Sequence, residues 1–441
     1  MCIRDSPCIN PDGRDRYVQF YTMTGTHPPD ADVSTREHQE PWPGGRTNHY
    51  YFDLNRDWTW QTQVETVQRM QLYNSWMPHI HVDYHEQYFN EPYYFAPAAK
   101  PYHLQITSWQ REFQKIIGKN HSRYFDNNNW LYFTKEHFDL LYPGYGDTYP
   151  IYNGAIGMTY EKAGGAAGGV SAITSDGDTL TLRSRIKHHH TTGLSTVESA
   201  YKHKDRIIKE FKYFFNKGID NPISKYKTFV IKAGLNDPKR EDLLRWLDTH
   251  GIEYGHPMDD RTRSVRGYSY FLGKYDSFRI QENDIIISAD QKKSVLTQVL
   301  FEPTTHYEDS LTYDITAWSI PYVYGLEAYA LETVIPQESF NIHGSSKVVH
   351  DWDDEPYAYL NPWKSVYDLK FLSEVLKNNI IVRVSEDPFE VGGIVYDRGT
   401  LVITRKGNET KGQRFDRLLS CLLYTSPRPR DATLSRMPSS A

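Results

Sequence analysis

Cysteine is scarce, long apolar runs are missing, and no stretch gathers charge of one sign. The chain has three cysteines in 441 residues. Cys2 and Cys421 fall in end segments set apart below, which leaves Cys8 alone. A single thiol excludes a disulfide scaffold and says nothing about redox compartment. No segment approaches the roughly 18 consecutive apolar residues that a membrane-spanning helix requires, and the mean hydropathy of -0.67 agrees. With a formal charge of -6 and no basic run, a nucleic-acid-binding face is excluded, since that needs clustered Lys and Arg. A small or peptidic substrate is expected instead. Aromatic residues are plentiful, with 34 Tyr and 10 Trp. They suit a substrate cleft or a sugar-binding surface, and equally a packed core.

The ends read differently from the middle. "MCIRDS" (1–6) lacks the apolar core of a secretory signal, and 421–441, "CLLYTSPRPRDATLSRMPSSA", abandons the periodicity before it. Both resemble translated sequencing-adapter sequence and are expected to be foreign to the fold, with the native protein extending past both ends. Between them, 7–224 alternates short β-like runs with helices, the pattern of an α/β unit. "QTQVETVQRMQLYNSWM" places Val64, Val67, Met70, Tyr73 and Trp76 at three-residue spacing, predicting a helix stopped by Pro78. The strand "HIHVDYH" should follow, then a helix over "HLQITSWQREFQKIIGKN". A further helix is predicted from a capping box at Ser195 and Glu198 to Gly218. "NPISK" reads as a linker. A second α/β unit, 225–420, then opens with the strand "KTFVIKA", the helix "REDLLRWLDTHG" and the strand "IEY". It continues through "NDIIISAD" to the pair "LKFLSEVLKNN" and "IIVRVSE".

Three histidines, an aspartate and a glutamate crowd the stretch from His79 to Glu86. As a helix it would set His81 and His85 four apart, but neither H-E-x-x-H nor H-x-x-E-H is present. As a strand, favoured by Ile80, Val82 and Tyr84, it puts His79, His81, Asp83 and His85 on one face, with His85 near the carboxyl end where α/β sites form. His85 is then the candidate ligand, and His79 and His81 read as structural. The triple histidine in "KHHHTT" reads as a solvated helix entry.

Three other segments carry chemistry: "NPDGRDRY" (Asn10 to Tyr17), "GGRTNHYYFDLNRDW" (Gly44 to Trp58) and "GAIGMTYEKAGG" (Gly154 to Gly165). Each alone is a weak signal. In this order, with "DYHEQ", they resemble the zinc metallocarboxypeptidases, the carboxypeptidase A-like peptidases, over about half of the chain. The resemblance implies a catalytic domain of mixed central sheet with flanking helices, followed by an accessory α/β domain of glutamine-amidotransferase-like type. It implies Zn2+ as cofactor with His85 as one ligand, and a peptide substrate with a free C-terminal carboxylate read by Asn55 and Arg56. Arg46 matches the oxyanion partner, with Arg16 and Arg36 as competitors, and Asp53 matches a carboxylate that orients a ligating histidine. Glu161 matches the general base, and Tyr142 or Tyr145 the mobile tyrosine that covers substrate. The parent is expected in the periplasm or outside the cell, with oligomeric state open.

One departure from the pattern matters. The family's H-x-x-E ligand pair should precede the N-P-D-G segment, and nothing here replaces it: His38 is followed by Gln-Glu-Pro and His306 by Tyr-Glu-Asp. One ligand does not hold zinc, so the chain as written is expected to be inactive. Two other readings remain: a zinc amidohydrolase acting on acylated amino acids or cell-wall peptides, and a non-catalytic peptide- or glycan-binding protein.

Overall fold

The computed structural model describes residues 2–165, 168–220, 224–232, 234, 237–258, 263–307, 312–313, 317–340, 356–409, 415–419 and 434–435. The architecture is mixed α/β, with several small sheets and packed helices.

Helix α1 (Pro11–Thr24) opens the chain, and the N-P-D-G segment is its start. Asn10 is the N-cap, its Oδ1 accepting from the Gly13 amide at 3.0 Å, and Pro11 sits where its fixed φ is favourable. Helix α2 (Val64–Trp76) ends at Met77, which adopts a left-handed conformation just before Pro78. Strand β1 (Ile80–Gln87) follows as the alternation predicted. After β2 (Tyr93–Tyr94) comes α3 (Ser108–Asn127), closed at its start by a capping box between Thr107 and Gln110. Next are β3 (Tyr132–Phe133), α4 (Thr148–Tyr152) and β4 (Ile156–Ala163).

These strands form a sheet in the order β1-β4-β2-β3. The β1–β4 and β2–β3 pairs are parallel, and β2 runs antiparallel to β4. The sheet is therefore mixed, and β1 lies at its edge. One side packs on α3 and the following helices through a core of Phe95, Phe113, Ile117, Phe125, Met158 and Tyr160.

A β5 (Ser171–Ile173) and β6 (Thr179–Thr181) hairpin leads into α5 (Leu182–Lys202) and α6 (Lys204–Asp220). Here the sequence expectation fails. The helix starts at Leu182 with a capping box between Thr181 and Ser184, and Ser195 lies buried in its middle. Ser195 Oγ is instead taken by Asn120 Nδ2 at 2.8 Å and His121 Nδ1 at 2.7 Å, both from α3. Tertiary hydrogen bonding, not capping, explains that serine. The break comes at His203, and α6 continues past Gly218. The triple histidine likewise lies inside the helix and not at its entry: His188 lies 4.2 Å from the Trp130 ring and His189 Nδ1 is bonded to Tyr93 Oη at 2.8 Å, while His190 is exposed.

Residues 221–223 of the expected linker lie outside the described residues. Beyond them, β7 (Thr228–Ile231), α7 (Pro238–His250), β8 (His256–Pro257), β9 (Arg263–Ser269), β10 (Lys274–Ile280), β11 (Ile285–Ser288), α8 (Ser294–Phe301), α9 (Ile320–Tyr324) and β12 (Ala328–Leu331) form the second unit. Its sheet has the order β10-β9-β12-β7-β11, with every pairing antiparallel. "IEY" forms no strand; only Gly255 bridges to Ile286 before β8 begins. Central β7 is buried on both faces, which is why it reads as an unbroken apolar run. The largest core joins the two units, running from Trp58, Tyr73 and Tyr149 to Phe229, Trp246, Phe301 and Trp318. After β13 (Gln337–Glu338), a smaller sheet ordered β15-β18-β14-β19 follows. It is built from β14 (Ala358–Asn361), β15 (Arg383–Val384), β18 (Leu401–Thr404) and β19 (Leu434–Ser435), with α10 (Val366–Lys377) packed on it and a β16 (Phe389–Val391) and β17 (Ile394–Tyr396) hairpin beside it.

Candidate functional site

Parallel pairing of β1 with β4 sets His85 directly across from Glu161, and Asp83 across from Thr159. Because side chains alternate along a strand, these four share one face, while Tyr84, Glu86, Tyr160 and Lys162 share the other. Asp83 is buried and bonds His85 Nε2 at 2.8 Å. Asn55 Nδ2 lies 3.1 Å from the same nitrogen, and Asn55 Oδ1 accepts from the Gly146 amide at 2.8 Å. A Cβ on Gly146 would sit 2.2 Å from Asp83 Oδ2, so glycine is required for this close approach.

Burial works to lower the His85 pKa, but the Asp83 charge and hydrogen bond, helped by Glu161, outweigh it and bring it to about 9. Glu161 is only 7% exposed. Its burial pushes its carboxyl up to about 7, partly opposed by His85. A carboxylate in that range suits proton transfer near neutrality.

The arginines stand beside this pair. Asp53 Oδ2 takes Arg46 through Nε at 3.0 Å and Nη2 at 2.9 Å, with Arg56 Nη1 at 3.7 Å, and its Oδ1 accepts from the Asn55 amide at 2.9 Å. Asp53 thus ties both arginines to the Asn55 turn, and the carboxylate on the histidine is Asp83. Arg56 stacks 4.5 Å over the Tyr145 ring. Tyr142 Oη accepts from Trp60 Nε1 at 2.7 Å and donates to the Arg56 carbonyl at 3.3 Å. Both tyrosines are buried, Tyr145 against the Arg56 guanidinium and Tyr142 against the Arg56 carbonyl. Arg16 donates to the carbonyls of Thr47 and Asn48, which holds the loop carrying Arg46, and Arg36 is exposed in a short 3-10 turn (Arg36–His38).

The loop itself is pinned from three sides. Asn10 Nδ2 donates to the carbonyls of Gly45 and Arg46 at 3.3 and 3.1 Å. Asn48 is fully buried and its Oδ1 accepts from the amides of Tyr50 and Phe52, each at 3.0 Å.

No family model, curated protein or solved structure matches this chain. The site's chemistry therefore rests on its own geometry. That geometry does not complete a zinc centre: His85 is one imidazole with Nε2 engaged by Asp83, and no group of three His, Cys, Asp or Glu side chains among the described residues is arranged to hold a metal. What the arrangement supplies is a buried acid-base group beside two arginines and an asparagine. His81 is structural in this setting. It lies edge-on to Trp58 and Tyr73, and burial pushes its pKa down to about 4. His79 packs on Phe211.

Asp83 and Asp147 were not singled out as site residues from sequence. Asp83 was within reach, since it sits two before His85 on an alternating strand. Asp147, whose Oδ2 accepts from Thr159 Oγ1 at 2.9 Å, comes from a loop that only the fold brings to the strand.

Proposed function

We propose that this chain carries the substrate-reading and acid-base part of a peptide-hydrolase site of the zinc-carboxypeptidase type. The observation that carries the reading is the cross-strand pair of His85 and Glu161, with Asn55, Arg46 and Arg56 gathered beside it. Arg56 offers a planar guanidinium, stiffened by Tyr145, to the terminal carboxylate of a peptide. Asn55 adds an amide held in place by Gly146. Glu161 holds or releases a proton at its buried carboxyl, and Arg46 faces developing negative charge with the N–H groups that Asp53 leaves unused. His85 is one metal donor in this reading. The remaining donors are not among the described residues, so no step is assigned to a metal. Placement in the periplasm or outside the cell belongs to the same proposal.

The test uses the folded chain and needs no turnover. Binding of short N-acetylated peptides with a free carboxylate, and of the same peptides as C-terminal amides, is measured by calorimetry. The acids should bind, the amides should not, and Arg56→Ala should weaken acid binding about 10- to 100-fold, as expected for losing charge-assisted hydrogen bonds of about 1.5–3 kcal/mol. Equal binding of acid and amide would sink the reading.

A further inference from the structure

The loop that carries Arg46 closes in a tight turn, Asn48 to Phe52, whose tip is aromatic. The Asn48 amide donates to the Phe52 carbonyl at 3.0 Å and the Tyr51 amide to the Asn48 carbonyl at 3.2 Å. The buried Asn48 side chain accepts from the Tyr50 and Phe52 amides and is itself anchored on Gln63 Oε1 at 2.9 Å. Within that frame Tyr51 stands at φ +67°, and it is the bulkiest residue with positive φ among the described residues. A large side chain in that region is costly, and such conformations persist where the surroundings impose them, typically at ligand sites. Burial of the ring recovers little of the cost. It is 57% exposed and meets Trp42, itself 81% exposed, at a centroid distance of 5.0 Å with the planes tilted by 34°. A stiff turn thus displays two paired rings to solvent.

These rings adjoin the site already described. They lie on either side of Arg46 in one loop, and Asp53, two residues after Tyr51, ties Arg46 to Arg56. Five residues separate Tyr51 from Arg56, at most about 18 Å of extended chain, a span that a peptide of about six residues covers. We propose that Trp42 and Tyr51 form an aromatic subsite that takes an apolar side chain of the peptide whose carboxylate Arg56 reads. The inference rests on the carboxylate reading above for the far end of that peptide. Rings held in place before binding lose little freedom when they are covered, and an aromatic or aliphatic side chain laid on them gains by burial and by ring contact. The subsite therefore selects among peptides that Arg56 alone would treat alike.

Calorimetry on the full chain tests it with an N-acetylated hexapeptide acid of Ala and Ser, the same peptide with one Phe or one Lys walked through its positions, and the C-terminal amide of each. At one position the Phe acid should bind about 10-fold tighter than the parent. Trp42→Ala or Tyr51→Gly should bring it within about 2-fold of the parent measured on the same variant. Tyr51→Gly should also keep or raise the melting temperature, because glycine takes φ +67° at no steric cost, whereas loss of a ring that served only the fold would lower it. Equal binding of Phe and parent acids, a Lys peptide gaining as much as the Phe peptide, or a clear fall in melting temperature on Tyr51→Gly overturns the subsite, and the carboxylate reading survives if acids still outbind amides. Phe-dependent binding that is equal for acid and amide and is lost in both variants sinks the carboxylate reading and keeps the subsite. No binding of any peptide overturns both.

Discussion

His250 closes the contact between the two units and is fully buried. Its neutral ring is satisfied at both nitrogens: Nε2–H donates to the Thr59 carbonyl at 2.9 Å, and Nδ1 accepts from Tyr149 Oη at 2.7 Å. Protonation would set an N–H against a hydroxyl that must then turn away, inside an apolar wall. Burial accordingly pushes the pKa from 6.5 to about 3. Since the folded pKa of this base is depressed, the unfolded chain binds the extra proton first. The stability it contributes is fully present above pH 6.5 and is lost as pH falls toward 3. At about 1.36 kcal/mol per pH unit, the loss by pH 5 is about 2 kcal/mol. The perturbation is His250→Gln, chosen to offer an amide N–H to the Thr59 carbonyl and an acceptor to Tyr149 Oη without a group that titrates in this range. Urea unfolding at pH 8 and pH 5, followed by the fluorescence of Trp246 at 4.2 Å from the ring, measures both proteins. The other buried histidines contribute equally to each and cancel. Wild type should lose about 2 kcal/mol more than the variant between the two pH values. Parallel losses would refute the assignment of a neutral, depressed His250.

Gly146→Ala should lower the melting temperature and weaken carboxylate binding together, because the added methyl meets Asp83 Oδ2; thermal melts and calorimetry on one sample check both. Asn48→Ala removes the acceptor for two loop amides and should cost about 1–3 kcal/mol, with faster protease cleavage between Gly44 and Asp53 as the readout. Phe229→Ala empties the centre of the shared core and should cost about 3–5 kcal/mol in urea unfolding. Glu161→Gln should leave acid-peptide binding within a few-fold of wild type while removing any hydrolysis the chain shows, since the carboxyl and not its shape moves the proton.

Strand β1, helix α2 and the order of the motif segments were legible because each rests on local periodicity or a stop signal such as Pro78. The start of α5 was not. Ser195 and Glu198 have the spacing of a cap, yet their oxygens are drawn to Asn120, His121 and Arg123 on a helix distant in sequence. A capping box reports what a serine is able to bond, not what the fold offers it. Site residues split along the same line. Asn55, Arg56, Arg46 and Glu161 come together as the order of segments suggested, with His85 opposite Glu161. Asp53 was expected on a histidine, but it lies next to two arginines in the folded turn, and Asp83, in the same strand as His85, is nearer the ring. The join between the units was invisible because Trp246 and His250 read as ordinary helix residues until Thr59 and Tyr149 are placed against them.

Glu161 and His85 face each other, but they are not equally anchored. β4 pairs with a strand on each side, β1 and, at Tyr94, β2, whereas β1 pairs only with β4 among the described residues. Local opening that peels β1 from the sheet therefore parts the pair while the base stays paired to β2, at the cost of the contacts that Ile80 and Val82 make with the core behind β4. Amide hydrogen exchange should see this as a graded edge, faster along Ile80–Gln87 than along Ile156–Ala163, so that the imidazole is the adjustable partner and the carboxylate the fixed reference.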